Sequence, residues 1–179
     1  DQVAVGGDSA AQAGEGTNAV AVGSGATANA DNSVALGAGA YAHGPNDTAL
    51  GGNARVNADG STAVGANSRI SAQASNAVAL GESASVSSAS GTALGQGASV
   101  TADNAVALGR GSVADRADTV SVGASGAERQ ITHVAAGTQA TDAANVGQVN
   151  AGVNAAKSYT DARFTALNDS FETLSLIHI

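Results

Sequence analysis

The chain has 179 residues and a net charge of −8, with 43 alanines and 24 glycines but only 32 Val, Ile, Leu and Phe together. So few large apolar side chains cannot fill a wide core; the chain either stays unfolded or builds a narrow core in which backbones approach closely. One lysine and six arginines argue against nucleic acid, the absence of cysteine removes disulfides and thiolate chemistry, and no run nears the ~18 apolar residues of a membrane helix.

A repeat begins at Val3, with no signal-peptide pattern before it, so the chain is expected to be a piece of something longer. The pattern is a polar residue followed by V/T-A-L/V-G. It reads VAVG at 3–6 and 20–23, VALG at 34–37, TALG at 48–51, TAVG at 62–65, VALG at 78–81, TALG at 92–95, VALG at 106–109 and VSVG at 120–123. Six of the eight glycine-to-glycine spacings are 14 residues. Such regularity decides for a folded repeat array and against disorder.

Each repeat holds two short period-2 segments. The first is V-A-L, as in Val34-Ala35-Leu36; the second follows the glycine, as in Ala54-Arg55-Val56 or Ser68-Arg69-Ile70. Alternation of this kind means strand. Turn residues separate them, Gly37-Ala38-Gly39 on one side and Asp31-Asn32 on the other, and both Gly and Asn tolerate positive φ. Two short strands and two turns fit in 14 residues, and no helix does. The chain must therefore coil, with successive turns about 4.8 Å apart in a column on the order of 40 Å tall. Insertions near Gln12–Glu15 and Gln73–Ser75 belong in turns. In V-A-L both side-chain directions are apolar, whereas a solvent-facing strand should alternate. The expected arrangement has Val34 and Leu36 inside, and an alanine ladder, including Ala35, Ala79 and Ala107, outside against an oligomer partner.

The repeat ends near Gly126. The stretch Glu128–Val149 does not fit the template, and Ile131 and Val134 are its only large apolar residues before Val146. Thr141 or Asp142 reads as a helix cap. Val146, Val149, Val153, Ala156, Thr160, Phe164, Leu167, Phe171 and Leu174 follow in steps of 3 and 4, a coiled-coil seam with one four-residue stutter. A stripe so thin needs partner helices. Leu176, Ile177 and Ile179 overrun it.

The copies NAVAVG (18–23), NSVALG (32–37) and NAVALG (76–81 and 104–109), the segment Glu128–Val149, and SYTDARFTAL (158–167) resemble the trimeric autotransporter adhesins with a YadA-like head. The resemblance implies a trimeric left-handed parallel β-roll over residues 1–126, a neck connector over 127–149 and a coiled-coil stalk segment over 150–179. It places Ile131, Val134, Val146, Val149, Val153, Phe164, Leu167, Phe171 and Leu174 between subunits. It also implies display on the bacterial cell surface, anchored in the outer membrane by a barrel outside this chain. Implied partners are a second and third copy of the chain and, beyond them, collagen, fibronectin, laminin or host cells. NSVAIG-type repeats are implicated in collagen-binding members. Here Asn32–Gly37 matches closely, with Leu36 for the Ile, so Asn32 and Ser33 are candidate contacts.

No catalytic grouping, cofactor loop or metal-ligand spacing emerges. His43 falls beside Gly44-Pro45 in a surface turn, His133 in the neck and His178 in the tail. Gly95-Gln96-Gly97 and Gly109-Arg110-Gly111 are turn glycines, because no helix follows. Arg55 and Arg69 hold the middle of successive second strands and should stack on the exterior, with Tyr41 one turn earlier. This column is the best local candidate for a contact patch. The function expected is a non-enzymatic adhesin head acting by avidity. The rival is a structural spacer that projects a distal binding domain, and low aromatic content favours it, since Trp and Tyr dominate binding hot spots.

Overall fold

The two apolar segments of each repeat resolve into two parallel sheets in the computed structural model, which describes residues 1–11 and 18–177. The first segments form a sheet in chain order: β1 (Val3–Val5), β3 (Val20–Val22), β5 (Val34–Leu36), β7 (Thr48–Leu50), β9 (Thr62–Val64), β11 (Val78–Leu80), β13 (Thr92–Leu94), β15 (Val106–Leu108) and β17 (Val120–Ser121). The second segments form the opposing sheet: β2 (Ala10–Ala11), β4 (Thr27–Ala28), β6 (Tyr41–Ala42), β8 (Arg55–Val56), β10 (Arg69–Ile70), β12 (Ser85–Val86), β14 (Ser99–Val100) and β16 (Val113–Ala114). Equivalent residues of successive repeats are register partners, Ala35 with Ala49 and Leu36 with Leu50. The chain is thus a parallel β-solenoid with one repeat per turn. The insertion at Gln73–Ser75 lies in a turn, where buried Ala74 accepts a hydrogen bond from Ser61 at 3.1 Å. The one expected near Gln12–Glu15 lies outside the described residues, as do His178 and Ile179.

The orientation of V-A-L is the reverse of the sequence expectation. Ala21, Ala35, Ala49, Ala63, Ala79, Ala93 and Ala107 are all fully buried, while Leu36, Leu50, Leu94 and Leu108 are about 40% exposed. Ala35, Ala79 and Ala107 therefore face the inside of the roll and cannot meet a partner subunit; Val34 and Leu36 face outward. The reason is volume. A 14-residue coil leaves a slot between its sheets too thin for two large layers. Alanine from the first sheet opposes Val56, Ile70, Val86 and Val100 from the second, which are the largest fully buried side chains among the described residues. Small against large fills the slot at the density of a protein interior.

Glycine after V-A-L has a second cause beyond turning. Gly37 has φ +133°, and a Cβ there would sit 2.5 Å from the carbonyl oxygen of Gly51 on the next coil. The corner backbones stack in direct contact, so only hydrogen fits. At the opposite corner Asn32, Asn46, Asn76 and Asn104 hold φ between 52° and 60°, the left-handed region that asparagine accepts. Backbone bonds then run coil to coil, as from Val34 N to Asp47 O at 2.8 Å and from Thr48 N to Ser61 O at 2.9 Å.

Residues Gln130–Ile179 form a separate compact unit from Asp1–Arg129. Its helix, α1, spans Val146–Ile177. It starts later than the expected cap at Thr141 or Asp142. The Asp142 carboxylate is committed to a turn, accepting from Thr138 N and Gln139 N at 2.9 Å each. Asn145 caps instead: its Oδ1 accepts from Gln148 N at 3.0 Å, and the Gln148 side chain accepts from Asn145 N at 3.3 Å. This reciprocal pair is a capping box. The Gln148 amide also exchanges two hydrogen bonds with the Gly137 backbone, at 2.8 and 2.9 Å, tying the preceding loop to the helix start.

Candidate binding surfaces

The first sheet presents its exterior as rows of Val, Thr and Leu. The outward residues of β5, β7, β13 and β15 leave Leu36, Leu50, Leu94 and Leu108 open in the single chain. A continuous apolar sheet face of this kind requires a cover. On α1 no residue is buried, and Val146, Val149, Val153, Phe164, Leu167, Phe171 and Leu174 are between 53% and 75% exposed. Ile131 is 69% exposed and Val134 is half-buried, and both line a cleft of about 460 Å³ with His133 and the start of α1. No apolar residue of the coiled-coil pattern is thus buried within one chain.

The second sheet has a different exterior. Tyr41, Arg55 and Arg69 are register partners in one column, as their 14-residue spacing predicts. The Arg55 guanidinium lies over the Tyr41 ring, 4.6 Å from its centroid. The Tyr41 hydroxyl accepts from Asn29 at 3.2 Å and shares a 3.2 Å hydrogen bond with His43 Nδ1. The Tyr41 and His43 rings stack with centroids 6.2 Å apart. His43 is exposed in the surface turn where the sequence puts it.

Of the two candidates from the NSVALG copy, one is reachable. Asn32 is exposed, in an amide ladder between Asn18 and Asn46 with 3.5 Å contacts. Ser33 is fully buried, and its hydroxyl donates to Ala30 O at 2.6 Å. It belongs to the inside of the corner and cannot touch a ligand. The alternation that turns Ala35 inward turns Ser33 inward too.

Two groups escaped sequence reasoning. Asp47 occupies the inward column of Ser33 and Ser61 and is fully buried. Its carboxylate accepts from Gly44 N at 2.7 Å and from Ser61 N at 3.1 Å. Burial pushes its carboxyl above the ordinary aspartate range, with a further push from the Asp59 charge; the two N–H donors and His43 oppose this. The regular column position was its only signal. Arg129 closes the last coil. Its guanidinium donates to the Ser112 hydroxyl at 2.8 Å, to Val122 O at 2.5 Å and to Arg110 O. It also lines a cleft of about 700 Å³ with Arg116, Val120 and Glu128 at the end of the roll. Two backbone N–H groups, its own first and then that of Gly126 at 2.9 Å, hold the Glu128 carboxyl below its ordinary range.

A repeating parallel solenoid with an uncovered apolar face and a helix with an uncovered seam together define a repeat protein whose two units both leave apolar surface open in a single chain. The YadA head domain repeat matches residues 15–40, 42–68, 72–98 and 101–125, and the coiled stalk of trimeric autotransporter adhesins matches residues 130–170. The chain belongs to the YadA-like trimeric autotransporter adhesins, a family of cell-surface proteins. It is similar to the crystal structure of the collagen-binding domain of the Yersinia adhesin YadA, at 27% identity and a TM-score of 0.56, over 86% of this chain and 75% of that one.

Proposed function

We propose that residues 1–126 are an adhesive head that attaches to host extracellular-matrix proteins such as collagen, fibronectin or laminin, or to host cells, without catalysing a reaction. Residues 127–149 act as the neck and 150–179 as the start of the stalk, and the protein is held at the outer membrane. Contacts are individually weak and gain strength because each trimer repeats them three times and each cell carries many fibres. The observation that carries this reading is the likeness to the collagen-binding YadA domain across most of both chains.

The trimer forms through the outward Val and Leu rows of the first sheet, including Val34, Leu36, Leu50, Leu94 and Leu108, which meet further copies of this chain. Ile131 and Val134 in the neck and the α1 seam from Val146 to Leu174 complete the contact. The spacer reading keeps one observation in its favour: among the described residues of the roll, Tyr41 is the only aromatic besides histidine.

Sedimentation equilibrium, followed on the same sample by binding to immobilised collagen, fibronectin and laminin, tests both readings. A trimer that binds one of them supports the head. A trimer that binds none supports the spacer. A folded monomer removes the assembly argument.

A further inference from the structure

The pair Arg55 and Arg69 is anomalous in an acidic chain. The two are register partners on adjacent parallel strands, so like charges stand directly opposite each other, an arrangement that disfavours the folded state. Both are exposed, and neither forms an ion pair with a carboxylate among the described residues. Of the roll's other three arginines, Arg110 donates to Gln96 at 2.9 Å and Arg129 is spent on the end of the roll, while Arg116 is exposed but stands alone, with no second arginine as its register partner.

Arg55 is also held in place. Its flat face rests on Tyr41, and Tyr41 is fixed by Asn29 and His43. A guanidinium stacked on a ring keeps its N–H edges free for an oxyanion, and its pre-ordering lowers the entropy lost on binding. On the next coils the column continues with Ser85 and Ser99, whose hydroxyls are 3.3 Å apart.

From this we infer that the exterior of the second sheet around Tyr41, Arg55 and Arg69 is a docking surface for a sulfated polysaccharide chain, deepening the adhesin reading on which it rests. The charge selects an anion, and the stacked guanidinium offers the planar fork that oxyanions accept. The surroundings select a glycan over an acidic polypeptide. The face is a strand surface of hydroxyls and guanidiniums, outside both the cleft at the end of the roll and the one beside Ile131. Side-chain anchors of a peptide need desolvated pockets, whereas Arg55 and Arg69 stand exposed and Tyr41 half-exposed; the hydroxyls of a sugar chain need only polar partners. The patch lies on the sheet opposite the Val and Leu rows, so covering those rows with further copies leaves it open.

The test uses the whole chain as a trimer, with sulfated heparin oligosaccharides flowed over it at several salt concentrations. Chemically desulfated heparin and polyglutamate serve as comparison probes. R55Q/R69Q is expected to lose sulfated-chain binding roughly tenfold or more, each lost contact being repeated three times, while melting at an unchanged or higher temperature. R110Q/R116Q removes the same charge elsewhere on the roll and is expected to bind as the parent does. Equal binding by R55Q/R69Q, or equal loss in R110Q/R116Q, overturns the assignment. So does polyglutamate binding as tightly as the sulfated chain, which transfers the patch to acidic polypeptides. Collagen binding is read on the same surfaces. Collagen bound without any heparin response removes the patch and leaves the adhesin reading standing; a heparin response without any matrix protein bound does the reverse for the protein targets.

Discussion

Replacing Gly51 by alanine probes the contact that sets the spacing of the roll. Gly51 has φ +133°, and an added Cβ would meet both the carbonyl carbon and oxygen of Gly65 at 2.7 Å and Ala66 N at 3.0 Å. All three are backbone atoms of the next coil, so no side chain can swing away. Reaching ordinary contact requires the corner to open by about 0.7 Å from that 2.7 Å approach. The ladder bonds beside it, Gly65 N to Leu50 O at 2.8 Å and Asn67 N to Gly52 O at 2.9 Å, then stretch past useful length. A strained φ costs about 1–3 kcal/mol and each of the two weakened bonds about 0.5–1.5 kcal/mol, so the sum is roughly 2–6 kcal/mol per chain. In a chain of this size that lowers the melting temperature by roughly 5–25 °C. The assay is thermal unfolding by far-UV circular dichroism at one fixed protein concentration, because assembly makes melting concentration-dependent. Gly97→Asn is the control. Its φ of +65° lies in the left-handed region that Asn53 (55°) and Asn67 (58°) hold in the same column, and nothing lies within 4 Å of an added Cβ. It should melt within about 2 °C of the parent. If G51A melts as the control does, the close corner stacking does not set the coil spacing.

Two further outcomes follow from the buried groups. Arg129→Ala leaves the carbonyls of Arg110 and Val122 without their charged donor. Charge-assisted bonds are worth about 1.5–3 kcal/mol each at most, so amide protection should fall over residues 110–123 while the coils at 48–64 keep theirs; uniform loss along the roll refutes an end-cap role. For Asp47, the folded carboxyl lies above the unfolded value of 3.8, so the folded chain holds its proton more readily and loses stability as pH rises through the window above 3.8. Asp47→Asn removes that component, and the parent-minus-variant stability difference should fall with rising pH across the window; a flat difference contradicts the buried-carboxylate account.

The sequence discloses the period because every coil obeys the same steric demands: hydrogen at the corner for Gly37, a left-handed residue for Asn32, alternation between. It does not disclose inside from outside by hydropathy. Leu36 is the more apolar neighbour of Ala35, and ranking by hydropathy points leucine inward. The interior is limited by width, and width selects the residue that almost never grows. Alanine in eight of nine copies was the sign of confinement, and Ser33 shares it. The exterior column Tyr41–Arg55–Arg69 was legible because spacing alone fixes register in a parallel coil. Asp47 was not: beside Asn46 and Pro45 it looks like one more surface turn, and only the three-dimensional column turns it inward. Nor was the helix start at Asn145, since Thr141-Asp142 presents equally good capping chemistry until the turn at Thr138 claims the Asp142 carboxylate.

Coil-on-coil stacking makes the chain a ruler graduated in whole repeats. Each coil touches only its neighbours, so one can be gained or lost without redesigning the others. Excision of the 14 residues 56–69 would bring Arg55 directly onto Ile70, restoring both sheets in register and shortening the column by about 4.8 Å. The glycine corners and the narrow alanine layer would close up unchanged, but only one guanidinium would remain in the column that Tyr41 begins. Reach and surface chemistry are thus inherited in the same fourteen-residue unit, so variation in the number of coils also edits what the surface displays.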